Sequence, residues 1–463
     1  MKLPATPPNA LDLWAKLSPE RQEELIGASG KVATADSYLH WDELRRRPPP
    51  FGLTGEEWWF ALKMGRDASL RPIPLLDKTA VNFRFATPDQ ILGQLHEIDR
   101  GLGFIVGLPD LITKPDVRDS YIVSSLIQES ITSSQLEGAA TTRSIAKEMI
   151  RTGRPPRDKS ERMILNNYHT MQRIRARRDQ ALTPELVLEI HALVTADTLE
   201  RSDASGRLRR ADENVRVEDA EGTVFHLPPA ASELDARLRA MCDFANGLTP
   251  DFFIHPVVRA IILHFWLAYD HPFVDGNGRT ARALFYWAML REKYQLFEFI
   301  SISQILLRAP VRYARAFLHT ETDGLDLTYF ILHQVGVIRE AVEALHEYVR
   351  HKTAELRAME KCLRGLVGLN HRQQTVLAHA FREPQARYVI EGHRRSHNIS
   401  FQTARDDLFD LVERGLLTMR KEGRTTAFYS PKDLGDKLSK AAEASDNTAL
   451  DMTIPIEFRP AVD

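Results

Sequence analysis

The stretch HPFVDGNGRTAR, His271 to Arg282, says most about the fold and chemistry of this 463-residue sequence. Gly276 and Gly278 flank Asn277, and glycines at this spacing let successive backbone N–H groups turn inward as an anion-binding nest. Apolar residues after Arg279 predict a helix that begins inside the stretch, and the free N–H groups at a helix start attract anions. The stretch therefore indicates a cradle for phosphate.

The polar side chains of the stretch fit the same site. Arg279 and Arg282 lie three residues apart on the predicted helix, and their fork-shaped guanidinium groups suit phosphate oxygens. Asn277 offers a further side-chain donor. Asp275 would repel phosphate unless a cation lay between them, and Mg²⁺ or Mn²⁺ is such a cation, because Mg²⁺ binds few carboxylates together with phosphates.

His271 adds a base to this site. It lies four residues before Asp275, at the mouth of the loop. A neutral imidazole in that place can accept a proton from an attacking hydroxyl group. Positioning, charge neutralisation and a base are the parts that phosphoryl-type transfer needs.

Three other interpretations of the stretch were compared with this one. An EF-hand is excluded because Arg279 and Tyr286 stand where the loop needs oxygen ligands. A metal site formed by His271 and Asp275 has no evident third ligand. A tight turn between two helices, with His271 as a cap, remains open from these residues alone.

The whole string resembles the signature of the Fic family in each defining position. The likeness extends from about Ala139 to Val349, and it includes His255-Pro256 before the signature and a flap with Gly206-Arg207 and Val224 to Pro229. The resemblance implies a mainly α fold, a helical-bundle core with a small β-hairpin flap. It also implies transfer of AMP from ATP to a Ser, Thr or Tyr hydroxyl of a protein target, or of the protein itself.

The resemblance also implies a role for each residue of the signature. His271 would deprotonate the target hydroxyl, Asp275 would hold Mg²⁺ against the phosphates, and Phe273 would anchor the loop. The residues expected to bind phosphate are Gly276, Asn277, Gly278, Arg279 and Arg282. The same site could instead remove AMP, or transfer another nucleotide or a phosphocholine-like group.

A second motif, Ser133-Ser134-Gln135-Leu136-Glu137-Gly138, is similar to the inhibitory helix pattern of the family. The resemblance implies that Glu137 pairs with Arg282, which would remove a γ-phosphate contact and place negative charge where phosphate should lie. Ser133 belongs to the same motif. The alternative is that Glu137 caps a helix or faces solvent.

The remaining sequence is divided by its helical periodicity and its turn residues. We expect an N-terminal lobe of short helices and irregular proline-rich segments over 1–95, and the Fic domain over 96–355, with the inhibitory helix at about 119–138. Val215 to Phe225 predicts a short hairpin, equally compatible with a flap and with a surface excursion. Residues 356–430 have the helix, helix, hairpin order of a winged helix-turn-helix, and 431–463 is expected to be a flexible tail.

The predicted winged helix suggests a second function. Its basic residues favour DNA contact; they are Arg394, Arg395, Arg405, Arg420, Lys421 and Arg424. Four acidic residues of its second helix would repel phosphates; they are Asp406, Asp407, Asp410 and Glu413. The alternatives are a DNA-binding regulator whose Fic site senses nucleotide or modifies itself, and a module for homodimer formation or target docking.

Composition limits the cellular setting. The net charge is −2, with 43% hydrophobic and 27% charged residues, as in ordinary globular proteins. The two cysteines, Cys242 and Cys362, have no His or Cys at metal-ligand spacing. Because the chain shows no signal-like start and no membrane-length apolar run, we expect a cytoplasmic protein without membrane contact.

Overall fold

The computed structural model describes residues 2–34, 37–103, 115–219, 221–365, 368–382, 386–423 and 425–438. The chain divides into two compact units, residues 1–346 and residues 347–463. Arg424 of the predicted wing and the predicted tail from residue 439 onward lie outside the described residues. Within the described residues, no helix is both long enough and apolar enough to span a membrane.

Helices dominate the first unit, which confirms the predicted fold class. The helices of its N-terminal part are α1 (Ala10–Lys16), α2 (Pro19–Thr34), α3 (Trp41–Leu44), α4 (Gly55–Asp67) and α5 (Asp89–Gly103). They are followed by α6 (Pro115–Gln135), α7 (Arg143–Thr152), α8 (Lys159–Arg177), α9 (Pro184–Thr195) and α10 (Leu234–Ala245). The last helices are α11 (Pro256–Asp270), α12 (Asn277–Arg291), α13 (Ile302–Arg308), α14 (Pro310–Thr322) and α15 (Thr328–Gly365).

Two of these helices, α11 and α12, pack against each other at the centre of the unit. Pro256 occupies the first turn of α11, where its missing N–H costs nothing, and the His255 side chain caps the turn. Residues 261–267 of α11 and 279–290 of α12 are all buried. A helix buried on every side takes its polar residues into the core with it, so each of them needs a partner.

The N-terminal lobe contains a β-hairpin that the sequence interpretation missed. Arg71-Pro72-Ile73-Pro74 was expected to be irregular, but β1 (Arg71–Leu76) pairs antiparallel with β2 (Asn82–Phe85). Proline is tolerated in such a strand because each strand of a two-stranded sheet has one free edge. Ile73 and Leu75 point into the core, with 2% and 0% exposure.

The predicted hairpin before α10 is confirmed, with shorter strands. Strand β3 (Val217–Glu218) pairs antiparallel with β4 (Val224–His226). Helix α15 continues past Tyr348 to Gly365. The intervening residues contain no proline or glycine and many strong helix formers, although their apolar spacing is weak.

In the described part of the second unit after α15, a small sheet is accompanied by helices. The helices are α16 (His371–Arg382), α17 (Ile390–His397) and α18 (Phe401–Glu413). The strands are β5 (Arg387–Val389), β6 (Thr418–Glu422) and β7 (Thr425–Tyr429). The strand order is β5-β7-β6. Residues 434–438 are helical, and Leu434 and Leu438 join the core of this unit, so its ordered part extends beyond residue 430.

Candidate active site

His271 ends α11 and begins the loop that leads to α12. Its backbone is left-handed, with φ 44° and ψ 55°, and its N–H donates to the carbonyl of Leu267 at 3.0 Å. The ring Nδ1 lies 3.1 Å from the carbonyl oxygen of Ala268. Because a carbonyl only accepts, Nδ1 carries the proton and Nε2 is left as the basic nitrogen. Burial lowers the pKa of His271 to about 4, against the opposing effect of the Ala268 carbonyl, so the ring is neutral at neutral pH.

Phe273 anchors the loop in the core, as the resemblance implied. Its side chain is fully buried and stacks on the ring of His191 from α9, with centroids 3.7 Å apart and planes 5° from parallel. His191 was missed in the sequence, although its place among the apolar residues of α9 indicated a buried side chain. Burial lowers the pKa of His191 to about 4.

Asn277 serves the loop itself. Its side-chain nitrogen donates to the carbonyl of Phe273 at 2.8 Å, and its side-chain oxygen accepts from the N–H of Phe273 at 3.0 Å. One of the two side-chain N–H donors of Asn277 is therefore used inside the loop, and contact of the other with phosphate stays a prediction. The backbone N–H groups of Asn277 and Gly278 belong to the first turn of α12, which Gly276 precedes with φ 84°.

Arg279 is 1% exposed and incompletely paired. Its Nη1 donates to the carbonyl of Val194 at 3.0 Å, and its Nη2 lies 3.8 Å from Oδ1 of Asp275. Within the described residues, its Nε and Nη2 have no hydrogen-bond partner. Burial lowers the pKa of this guanidinium. A buried cation with unused donors is suited to an anionic ligand.

Arg282 is equally buried, and its guanidinium group is hydrogen-bonded to residues at and just after the end of α6. Its Nε donates to Oγ of Ser133 at 2.9 Å, and its Nη2 donates to the Ser133 carbonyl at 2.9 Å and to Oε1 of Glu137 at 2.8 Å. A Cβ on residue 278 would overlap the same oxygen, so the Glu137 carboxylate lies on Gly278 at the start of α12. Burial alone would lower the pKa of Arg282, but the neighbouring charges, Glu137 first, keep it raised.

Glu129 was not singled out in the sequence, and it holds α6 from the other side. It lies four residues before Ser133 on the same face of α6, and Glu137 follows two residues after the helix ends. Its buried carboxylate accepts from Ser303 N–H at 3.1 Å and from the Ser303 hydroxyl. It also accepts from Tyr286 OH at 3.0 Å and Ser301 Oγ at 2.7 Å. These bonds fix where Glu137 falls relative to α12.

The hairpin is tied to α11 and to the signature loop. In β4, His226 places Nε2 2.7 Å from the Tyr269 carbonyl and Nδ1 2.8 Å from Oε2 of Glu321. Arg209 donates from Nε to the His271 carbonyl at 3.0 Å and from Nη2 to the Pro229 carbonyl at 2.5 Å. The hairpin therefore stands beside His271, as a flap would.

A cavity of about 250 Å³ opens between this hairpin, α14 and the start of α12. The polar and charged side chains of its lining are His226, His271, Arg282, Glu137 and Glu321, and Gly278 lies beside them. Its apolar side is formed by Val217, Phe225, Tyr313, Ala314, Phe317 and Leu318. Its lining combines charged and polar groups with an apolar wall, a combination typical of small-molecule sites.

Asp275 is the residue available to a divalent cation. Its side chain is 47% exposed, and Oδ1 accepts from the Gly276 N–H at 2.5 Å. Among the described residues there is no cluster of three His, Cys, Asp or Glu side chains able to hold a metal ion. A single accessible carboxylate beside the predicted phosphate cradle fits Mg²⁺ or Mn²⁺ that arrives with a nucleotide. The phosphates and water would then supply the remaining ligands of the ion.

Residues 181–289 match the family model described as the Fic/DOC family. A Nematostella vectensis protein named protein adenylyltransferase Fic is 28% identical over 207 residues, which cover 42% of this chain and 44% of that relative. The Aedes aegypti protein of the same name is 32% identical over 115 residues, covering 24% of this chain and 20% of that relative. The chain thus spans less than half the length of these relatives.

A solved structure has the same fold. The crystal structure of a Fic family protein from Desulfovibrio desulfuricans G20 aligns with a TM-score of 0.51 and 18% identity. The alignment covers 74% of this chain and 96% of that one.

Proposed function

We propose that this protein transfers AMP from ATP to a hydroxyl side chain of a protein, on the premise that its residues 181–289 match the Fic/DOC family model. The name shared by its relatives, protein adenylyltransferase Fic, supports the proposal. One observation carries it: the neutral His271 stands beside a helix start that has a buried arginine, Arg279, with donors to spare.

In the proposed reaction, the oxygen of the target hydroxyl attacks the α-phosphorus of ATP. The new oxygen–phosphorus bond forms as the bond to pyrophosphate breaks, and the hydroxyl proton passes to Nε2 of His271. The backbone N–H groups of Asn277 and Gly278 and the Arg279 guanidinium offset the negative charge that builds up on the phosphates. Mg²⁺ or Mn²⁺ held by Asp275 would supply further charge neutralisation when bound.

Autoinhibition is the second part of the proposal. Arg282 cannot give the same donors to Glu137 and to a γ-phosphate, and the Glu137 carboxylate already lies on Gly278. A carboxylate in that place repels incoming phosphate and removes one of its cations. The resting protein is therefore expected to bind ATP weakly until the Glu137 side chain leaves Arg282.

The experiment that tests the function uses the protein and its Glu137→Gly variant with α-labelled and γ-labelled ATP. AMP transfer predicts protein labelling from the α position only. Label from the γ position only would indicate a kinase, and label from neither would refute the enzyme. Competition by excess GTP, CTP or UTP tests the choice of ATP, and loss of label after adding the inhibited parent would reveal AMP removal.

A second function, DNA contact by the second unit, is favoured by the pairing of its acidic residues. Asp407 is buried and accepts two hydrogen bonds from Arg372 at 2.7 and 3.0 Å. Asp410 accepts from Gln373 at 2.7 Å and from Arg414. Two of the four residues expected to repel DNA are thus neutralised inside the unit, and Arg405 stays exposed on α18.

This second proposal has a direct test in a gel shift with duplex DNA. Phosphate contacts predict that affinity falls steeply between about 50 and 200 mM salt. Arg405→Ala should weaken the shift. Absence of a shift, or a shift that salt leaves unchanged, would refute DNA contact.

A further inference from the structure

His191 is a buried histidine that the proposed reaction does not use, and it joins three separate parts of the site. It lies on α9 and is 1% exposed. Its Nδ1 is 3.0 Å from the N–H nitrogen of Gly206, at the start of the segment that leads to the flap. Its Nε2 is 2.9 Å from the carbonyl oxygen of Asp275, and its face covers Phe273.

These two contacts determine which nitrogen of the ring carries the proton. A backbone N–H only donates, so Nδ1 must accept from Gly206. A carbonyl only accepts, so Nε2 must donate to Asp275. The neutral Nε2–H form satisfies both partners, and the ring is a fixed bridge between two backbone segments.

The bond to Asp275 also orients the peptide that follows. In a trans peptide the C=O and N–H groups point in opposite directions. Because His191 holds the Asp275 oxygen on the side of α9, the Gly276 N–H points to the other side. There it meets the Asp275 carboxylate at 2.5 Å, next to the first turn of α12.

Close packing leaves this peptide little freedom. A Cβ on residue 276 would lie 2.6 Å from Cγ2 of Thr195 and 3.5 Å from the ring of His191. Glycine is therefore needed there for space as well as for its φ of 84°. The loop lies flat on α9, and His191 supplies the hydrogen bond at that contact.

We propose that His191 is a positioning residue of the nucleotide site, which holds the Asp275–Gly276 peptide so that the Gly276 N–H keeps the Asp275 carboxylate beside the start of α12. The proposal rests on the proposed function of this site. It predicts that losing the Asp275 bond weakens nucleotide binding even when the ring volume is preserved.

Three substitutions separate the two hydrogen bonds, each made in the Glu137→Gly protein so that inhibition does not mask binding. His191→Phe keeps the ring on Phe273 and loses both bonds. His191→Asn keeps an acceptor for Gly206 but is too short to reach Asp275. His191→Gln keeps a donor at the position of Nε2. The readouts are the Kd for Mg–ATP from calorimetry, kcat/KM for AMP transfer and the melting temperature.

We expect Phe and Asn to weaken nucleotide binding by about 10- to 100-fold, the usual cost of losing a group that orients a ligand-binding residue. Gln should keep most of the affinity, and the melting temperatures should not follow this order. Parent-like binding by the Asn variant would overturn the proposal. Losses that track melting temperature across all three variants would reduce His191 to a packing role and overturn it as well.

The same data distinguish this inference from the proposed function. If the Glu137→Gly protein binds Mg–ATP but transfers no AMP, the function is wrong, and the order of the three Kd values still decides the role of His191. If AMP is transferred and all three variants bind alike, the function stands and the inference fails.

Discussion

The two halves of the phosphate cradle differ in what their arginines bind. Arg282 gives three hydrogen bonds to α6, whereas Arg279 gives one, to Val194, and keeps Nε and Nη2 unused within the described residues. Burial lowers the pKa of Arg279, but the charges around Arg282, Glu137 above all, raise that of Arg282. The proposed inhibition therefore closes one half of the site and leaves the loop of His271 and Asp275 in place.

Because the proposed inhibition leaves the loop intact, a small free-energy preference for the inhibited arrangement is enough to suppress activity. If the Glu137 arrangement is favoured by roughly 2 kcal/mol, only about 3% of molecules are competent, and the apparent nucleotide affinity falls in proportion. Restoring activity then requires the withdrawal of one side chain and no refolding of the site. Glu129 would keep most of α6 in position during that change, through its bonds to Ser303 and Tyr286.

The largest effect is expected from His271→Ala, which removes the base and neither half of the cradle. General-base catalysis contributes about 10²- to 10⁴-fold, so transfer should fall by that factor. Nucleotide affinity should change little, because the donors of α12 remain. Transfer assays with α-labelled ATP and calorimetry, both in the Glu137→Gly protein, measure the two quantities. Retained transfer would remove His271 as the base.

Glu137→Gly tests the closed half directly and should increase transfer or self-modification by about 30-fold, the inverse of the competent fraction above. Glu137→Gln is the matched control, because it keeps an acceptor for Arg282 without the charge. Its activity should lie between those of the parent and the glycine variant. Equal label incorporation by all three proteins would refute the inhibitory role.

The features of the site that could be predicted from the sequence are those formed by residues close together in the chain. The signature loop, its helix and the Glu137 motif are each local, and the structure brings Glu137 to Arg282 as the resemblance implied. Partners supplied by distant segments could not be predicted, which is why His191, Arg209 and Glu129 were missed. The β1–β2 hairpin was missed because two prolines in β1 obscured the alternation that Ile73 and Leu75 preserve.

Asn277 shows a different limit of sequence reasoning. A side-chain amide in a glycine-rich loop suggests a phosphate donor, and its chemistry would allow that role. Only the folded loop shows that Phe273 takes both ends of the amide. A residue type defines what a side chain can bind, but tertiary packing decides which partner it meets.

Replacing Arg279 or Arg282 by methionine shows how much each arginine contributes to the stability of the folded protein. Arg282→Met loses three hydrogen bonds and leaves Ser133 and Glu137 without their cation, whereas Arg279→Met loses one bond. Hydrogen bonds to charged groups are worth about 1.5–3 kcal/mol each, and Arg282→Met loses two more of them, so unfolding in urea should show it to be less stable than Arg279→Met by about 3 kcal/mol or more. Arg279→Met should bind Mg–ATP about tenfold more weakly in the Glu137→Gly protein. Equal losses of stability would show that the halves are equally occupied.

The smallest effect is expected from pH. Between pH 8 and pH 6, the protonation of His271 should not change, either in the parent or in the Glu137→Gly protein. The lowered pKa of His271, about 4 and caused mainly by burial, keeps its ring neutral from pH 8 to pH 6. A histidine with an ordinary pKa of about 6.5 would lose roughly three quarters of its neutral form over that range. NMR spectra of histidine-labelled protein, with His271→Ala to assign the signal, should show no titration of His271 above pH 5. Glu137→Gly removes one nearby negative charge that raises this pKa, so the signal should titrate at still lower pH in that variant. A titration near pH 6.5 in either protein would show that burial does not control the base.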